Sequence, residues 1–189
     1  SKINPVKDRK TIKTEIILSD LDIVQKKLEK GKKKLLQEKE VKMLEEKLIQ
    51  LNDGKEVKID NEFEKKFLTS LGLLSIKPKI IVCNVDEESL AKGNNFTESV
   101  KKQYPNEKII TICADIEDQI MGLNNDERET FMKEIGLNKT GLNRLIKEGY
   151  DLLNLDTFFT SVPEESRAWT VEKNTQVPKA ASVIHTDFE

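Results

Sequence analysis

Asn84 and Glu87, an amide and a carboxylate three residues apart, directly follow the apolar run Lys79-Ile80-Ile81-Val82-Cys83. In open α/β sheets, ligands bind beyond the carboxyl ends of strands, which is where Asn84-Val85-Asp86-Glu87 falls if that run is a strand. An asparagine side chain donates and accepts, and can pair with the N6 and N7 edge of adenine. A carboxylate only accepts, so close to the ring it suits the N–H groups of guanine and repels the lone pair adenine presents instead. A displaced carboxylate relaxes that repulsion. The element reads as a nucleotide-base site leaning to adenine. An Asx turn closing a strand uses the same residue types without any ligand.

Other reactive side chains are few. One histidine and two cysteines do not make a zinc site, and no metal site or catalytic residue is assigned within the chain. His185 stands two residues before Asp187, but no nucleophile lies nearby in sequence, and a structural or partner-facing role is expected. Cys83 and Cys113 are read as small buried residues of a reducing compartment, with a redox pair as the alternative. Trp169 is expected to pack in a core, where its indole N–H needs an acceptor. Nowhere does the pattern G-x-x-x-x-G-K-[ST] occur, so no loop of this chain is expected to cradle phosphates. Lys26, Lys27, Lys30, Lys32, Lys33 and Lys34 crowd together and could meet RNA phosphates, or form a solvated helix face. No aromatics interleave them, so base stacking is not indicated.

The elements that position these residues follow from periodicity. Ile17, Leu21, Val24 and Leu28, then Val41, Leu44, Leu48 and Leu51, repeat at the 3.5-residue period that pairs helices. Gly31 is expected to cap and turn between them, and Asn52-Asp53-Gly54 to stop the second. A shorter helix is expected from Asn61 to Ser70. Lys79–Cys83 and Ile109–Cys113 read as parallel strands buried on both faces, separated by a helix over Thr97–Tyr104. Further helices are expected around Asp126–Ile135 and Thr140–Leu153, the latter with Leu142, Leu145, Ile146, Tyr150 and Leu153 along one face. Thr157–Ser161 and Ala168–Val171 read as strands, and Pro178 as the start of a helix through about His185.

Composition bounds the class. The 189 residues suffice for one large domain or two small ones. A charged fraction of 35% with 5% aromatics fits long solvated helices around a modest core. With 32 basic and 34 acidic side chains, net −2, the whole chain is not a basic nucleic-acid binder. Residues 1–66 are net positive and 67–189 net negative, as for regions with different jobs. No apolar run approaches the roughly 20 residues of a membrane span, and Ser1-Lys2-Ile3-Asn4-Pro5 lacks the apolar core of a signal peptide. A cytoplasmic monomer without membrane contact is expected.

Four stretches give the chain a resemblance. They are Asn4-Pro5-Val6-Lys7-Asp8 leading into Thr14–Leu21; Lys77-Pro78 through Asn84-Val85-Asp86-Glu87; Leu155-Asp156-Thr157-Phe158-Phe159-Thr160; and Arg167-Ala168-Trp169-Thr170-Val171 followed by Ile184-His185-Thr186-Asp187-Phe188-Glu189. Together they resemble the Obg-like ATPases of the YchF family, P-loop proteins that prefer ATP to GTP. The likeness departs at Asn4, where the family pattern has Asp, and near Lys10, where it has an acidic residue.

The resemblance implies an α/β fold: the back half of a P-loop G domain, an inserted α-helical coiled coil, and the start of a β-grasp TGS domain. Their expected bounds are residues 1–71 for the helical hairpin, 72–156 for the G-domain half and 157–189 for the TGS start. It implies that N-x-x-E replaces the guanine-reading N-K-x-D, with Asn84 on adenine, Val85 against the ring and Glu87 as the altered carboxylate. Cys113 and Ala114 would close over the base. ATP and Mg2+ are the implied cofactors, their phosphate and metal ligands lying outside this chain, so the chain alone is expected to be inactive. The ribosome or its RNA is the implied partner, through the six lysines. The alternative is a non-catalytic ribosome- or RNA-interaction module.

Overall fold

A computed structural model of the chain describes residues 3–31 and 36–185. The chain divides into two compact units, Ser1–Lys77 and Pro78–Glu189.

The first unit is helical. Asn4-Pro5 starts α1 (Pro5–Gly31): the Asn4 side chain accepts the N–H of Lys7, and Pro5 takes the first helical position, where a missing N–H costs nothing. α2 spans Glu38–Asn52 and α3 Glu62–Ser70, the latter capped by Asn61. Ile17, Val24 and Leu28 of α1 and Leu44 and Leu51 of α2 are buried in one core with Val57, Leu68 and Leu73. The expected stripes therefore meet, and α3 completes their core. Gly31 differs from expectation. It is the buried last residue of α1, and a Cβ there would run into the Leu36 side chain, so the glycine supplies room rather than a turn.

Periodicity did not reveal the polar part of this core. Lys47 is 0% exposed and lies 2.8 Å from Glu64 and 2.9 Å from Asp60. Asp20 is equally buried, and its two oxygens accept the N–H groups of Leu74 at 2.7 Å and Ser75 at 2.8 Å. Unpaired, either charge would be costly in this interior.

The second unit is α/β. β1 (Ile80–Asn84) and β2 (Lys108–Ile112) are parallel, with Asn84 opposite Ile112. Between them run α4 (Glu87–Lys92) and α5 (Asn95–Gln103), capped by Asp86 and Asn94. Among the described residues the sheet has only these two strands, so the expectation of strands buried on both faces is not met. No residue of β1 is buried, and Val82 is 41% exposed. After β2 come α6 (Ala114–Met121), α7 (Asn125–Glu134) and α8 (Gly141–Leu152). Thr140 caps α8 as expected, but Leu142, Ile146, Tyr150 and Leu153 stay exposed, because α8 meets β2 and the next strand with its other side.

β3 (Leu155–Val162) and β4 (Glu165–Glu172) form an antiparallel hairpin, longer than expected at both strands. The Trp169 indole finds its acceptor on the Thr160 hydroxyl at 2.9 Å. α9 (Val177–Ala181) stops short of the expected His185.

Candidate functional site

The carboxyl ends of β1 and β2 bring Asn84 and Val85 beside Ile112 and Ala114. Past the last ladder pair, the Val85 N–H donates to the Ile112 carbonyl at 2.9 Å. Asn84 Oδ1 accepts the N–H of Ala114 at 3.0 Å. Ala114 opens α6, so its N–H has no acceptor within the helix, and the Asn84 side chain satisfies it. The bond also orients the amide: the oxygen turns to Ala114 and the NH2 group is left for something else.

Two neighbouring carboxylates divide their work. Asp86 caps α4 by accepting the Ser89 N–H at 2.8 Å, and hydrogen bonds from Ser89 hold its carboxyl below the ordinary value. Glu87, the first residue of α4, is exposed, and its side chain makes no hydrogen bond or ion pair among the described residues. Asp86 is committed to the helix, while Glu87 is available.

Cys113 is not the end of a strand but the buried residue before α6, with extended backbone angles (φ −120°, ψ 111°) and no capping hydrogen bond from its side chain. The N–H groups of Asp115 and Ile116 in the first turn thus lack a side-chain cap. Cys83 is half-buried on β1 opposite Thr111, and both cysteines are free thiols. Burial pushes the Cys83 thiol up, against a smaller pull from Lys101.

Sequence reasoning missed Glu117 and Gly141. Glu117 sits on α6, and its carboxylate accepts the N–H groups of Gly141 at 2.5 Å and Leu142 at 3.1 Å, closing the start of α8 onto α6. Partners 24 and 25 residues apart leave no local sequence signal.

A cavity of about 1020 Å³ opens elsewhere in this unit, between β2, α8 and the start of β3. Lys92, Lys139, Arg144 and Lys147 line it, whereas Asn84, Glu87, Cys113 and Ala114 do not. Among the described residues no group of three or more His, Cys, Asp or Glu side chains could hold a metal ion, and no helix is long and apolar enough to cross a membrane.

The lysine cluster is less uniform than its sequence. Lys26 pairs with Asp22 at 2.6 Å, Lys27 lies over the Phe67 ring at 5.8 Å, and Lys30 is exposed. Lys32, Lys33 and Lys34 lie outside the described residues, as does Asp187, the imagined partner of His185.

Comparison with known proteins agrees with this architecture. Residues 155–189 match the family model YchF-GTPase_C, described as a protein of unknown function (DUF933). Over its whole length the chain is 39% identical to the ribosome-binding ATPase YchF of Escherichia coli O157:H7, covering 54% of that protein. It is 34% identical to the ribosome-binding ATPase YchF of Bacillus subtilis (strain 168), again over all of this chain and 54% of that one. The solved structure of the Schizosaccharomyces pombe YchF GTPase superposes with a TM-score of 0.85 at 28% identity, over 100% of this chain and 55% of that one. The chain spans about half the length of the curated relatives it matches. With whole-chain identity, superposition and a family-specific carboxyl-terminal match in agreement, the chain belongs to the YchF family.

Proposed function

We propose that this chain supplies the base-reading part of a nucleotide-hydrolysing protein that prefers ATP to GTP and works with the ribosome. The observation that carries the reading is the Asn84–Ala114 hydrogen bond across the carboxyl ends of two parallel strands. The relatives are named ATPases and the fission-yeast protein a GTPase; in this proposal the choice of base turns on residues of this chain.

At position 6, guanine presents an acceptor and adenine a donor. The Ala114 N–H is occupied by Asn84 and is not offered to a guanine oxygen. The Asn84 NH2 group can donate to N7, which both purines share, so Asn84 orients the base more than it selects it. Val85 would pack against the ring. Glu87 has one more carbon than aspartate and starts a helix, which weakens the carboxylate grip that favours guanine. Selection falls to Glu87 and to the backbone of Cys113 and Ala114.

The residues present do not fit Mg2+ or a phosphate chain, given the missing Gly-rich motif and the lack of a ligand cluster among the described residues. Hydrolysis in this proposal therefore uses groups other than those of these 189 residues, and the chain alone binds nucleotide weakly without turning it over. The proposed division of labour is a coiled-coil hairpin over residues 1–71 with 72–77 belonging to its unit, because Leu73 packs in its core and Asp20 holds Leu74 and Ser75, then the nucleotide half-domain to 156 and 157–189 as the start of a TGS module, acting as a cytoplasmic monomer. Lys26, Lys27 and Lys30, with Lys32, Lys33 and Lys34, would meet ribosomal RNA phosphates. Lys26 can exchange Asp22 for a phosphate cheaply, because an exposed pair of this kind contributes only about 0.3–0.5 kcal/mol.

The test is calorimetric titration of ATP and GTP into a protein of the relatives' length that carries this chain. Tighter binding of ATP, weakened by Asn84→Ala, is expected. Equal or GTP-favoured binding contradicts the reading of Asn84 and Glu87.

A further inference from the structure

We infer that Glu117 and Gly141 are positioning residues that hold the Cys113-Ala114 loop in register with Asn84 by pinning the start of α8 to the junction of β2 and α6. The inference rests on the base-site reading above for its functional meaning, but its geometry stands apart from it.

Three contacts converge on that junction. Both Glu117 oxygens accept free N–H groups of the first turn of α8, from Gly141 at 2.5 Å and Leu142 at 3.1 Å. A carboxylate facing two helix-terminal N–H groups makes charge-assisted bonds in the favourable direction of the helix dipole. Gly141 is buried with an ordinary negative φ, so conformation does not call for a glycine; space does. A Cβ there would lie 2.7 Å from Glu117 Oε1 and 2.8 Å from Ile112 Cγ2. Ile112 is the residue whose carbonyl accepts the Val85 N–H. One turn further along α8, Arg144 Nη2 donates to the Thr111 carbonyl at 2.9 Å.

α8 is thereby fixed to residues 111, 112 and 117, on both sides of the base loop. Its far end meets the hairpin: Asp151 pairs with Lys173 at 2.6 Å, and the Lys173 N–H donates to the Asn154 carbonyl at 2.7 Å. Hence α8 is a strut between the β3–β4 hairpin and the loop that meets the base. Glu117 and Gly141 form its near joint. They touch no base, and their effect passes through Ala114 to Asn84.

Amide hydrogen exchange on the full 189-residue chain, without nucleotide, tests this. Glu117→Gln leaves one oxygen for two N–H groups and turns an NH2 toward the second. It should speed exchange about tenfold at Gly141 and Leu142 and also at Ala114, while amides of the β1–β2 ladder keep their protection. Thr140→Ala is the comparison, since it removes the side-chain cap of α8 and leaves Glu117 in place. It should loosen the start of α8 and leave Ala114 unchanged. Faster exchange at Gly141 and Leu142 alone in Glu117→Gln would reduce the contact to a helix cap and overturn the inference. So would equal acceleration of Ala114 by the two variants. Adding adenosine then separates the two readings: absent binding sinks the base site, while the exchange pattern still decides the joint.

Discussion

Asn84 Oδ1 and the Ala114 amide nitrogen, thirty residues apart in the chain, lie 3.0 Å apart across the ends of the parallel strand pair. This bond does two things. It satisfies a helix-terminal N–H, and it turns the Asn84 amide so that its donor side is free.

Asn84→Asp separates these two roles. Aspartate still accepts from Ala114 but offers an oxygen where asparagine offers NH2. The variant should fold normally and keep the Ala114 amide protected, yet bind adenosine at least about tenfold more weakly, the loss of one hydrogen bond plus repulsion at N7. Two-dimensional NMR with and without adenosine reads both. Unchanged adenosine binding would remove Asn84 from the site.

In the helical unit, Lys47 and Glu64 are both buried and lie 2.8 Å apart. Removing one partner strands the other charge. Lys47→Met alone should therefore destabilise the unit by about 3–5 kcal/mol, whereas Lys47→Met with Glu64→Leu should recover most of that loss. Chemical denaturation followed by helix content measures the difference. A single variant no worse than the double would mean the pair is not buried in solution.

The same lysine gives a pH signature. Burial pulls its pKa down, but hydrogen bonds to Glu64 and Asp60 and their charges outweigh this and leave it above the ordinary 10.5. A raised folded value means the ammonium's contribution is complete below the unfolded pKa and fades as pH climbs through the folded one. Stability should thus fall above about pH 10.5 in the native chain, with that part of the fall missing in Lys47→Met/Glu64→Leu. Parallel pH profiles of the two proteins would contradict the assignment.

Asp20 holds the Leu74 and Ser75 amides with separate oxygens. An asparagine side chain has a single acceptor oxygen and could serve only one of them, so Asp20→Asn should cost about 1–3 kcal/mol and expose the other amide to exchange. Protection of both amides in the variant would show that the carboxylate is replaceable there.

The proposed ribosome contact would carry a salt signature. Reversing Lys30, Lys32, Lys33 and Lys34 to Glu should abolish co-sedimentation with ribosomes at low salt, and the native interaction should weaken steeply as salt rises. Unchanged co-sedimentation would place the contact elsewhere on the chain.

The sequence was legible where the signal was local. Asn61 and Thr140 marked helix starts, and the apolar stripes of α1 and α2 marked the faces that pack. It was silent where short elements carry few apolar residues. α4 offers only Leu90 and Ala91, and α6 begins at Cys113-Ala114 without a capping side chain, so nothing announced its start. Asn84-Val85-Asp86-Glu87 was proposed as a base site from its residue types, and Cys113-Ala114 from the family resemblance alone. The division between Asp86 and Glu87 required the α4 cap to be seen. Lys47 with Glu64, Asp20 with Leu74 and Glu117 with Gly141 are partners 17 to 54 residues apart, and no periodicity encodes such distances.

The proposed purine site at Asn84, Glu87, Cys113 and Ala114, with its lean to adenine, can be probed without phosphates. Adenosine and guanosine are titrated separately into the isotope-labelled chain, because a nucleoside needs no phosphate site. Adenosine should give weak, saturable shifts at the Asn84 side-chain NH2 and at the Val85, Glu87 and Ala114 amides, with smaller shifts for guanosine. Equal shifts for both nucleosides, or shifts confined to other residues, would contradict the proposed site.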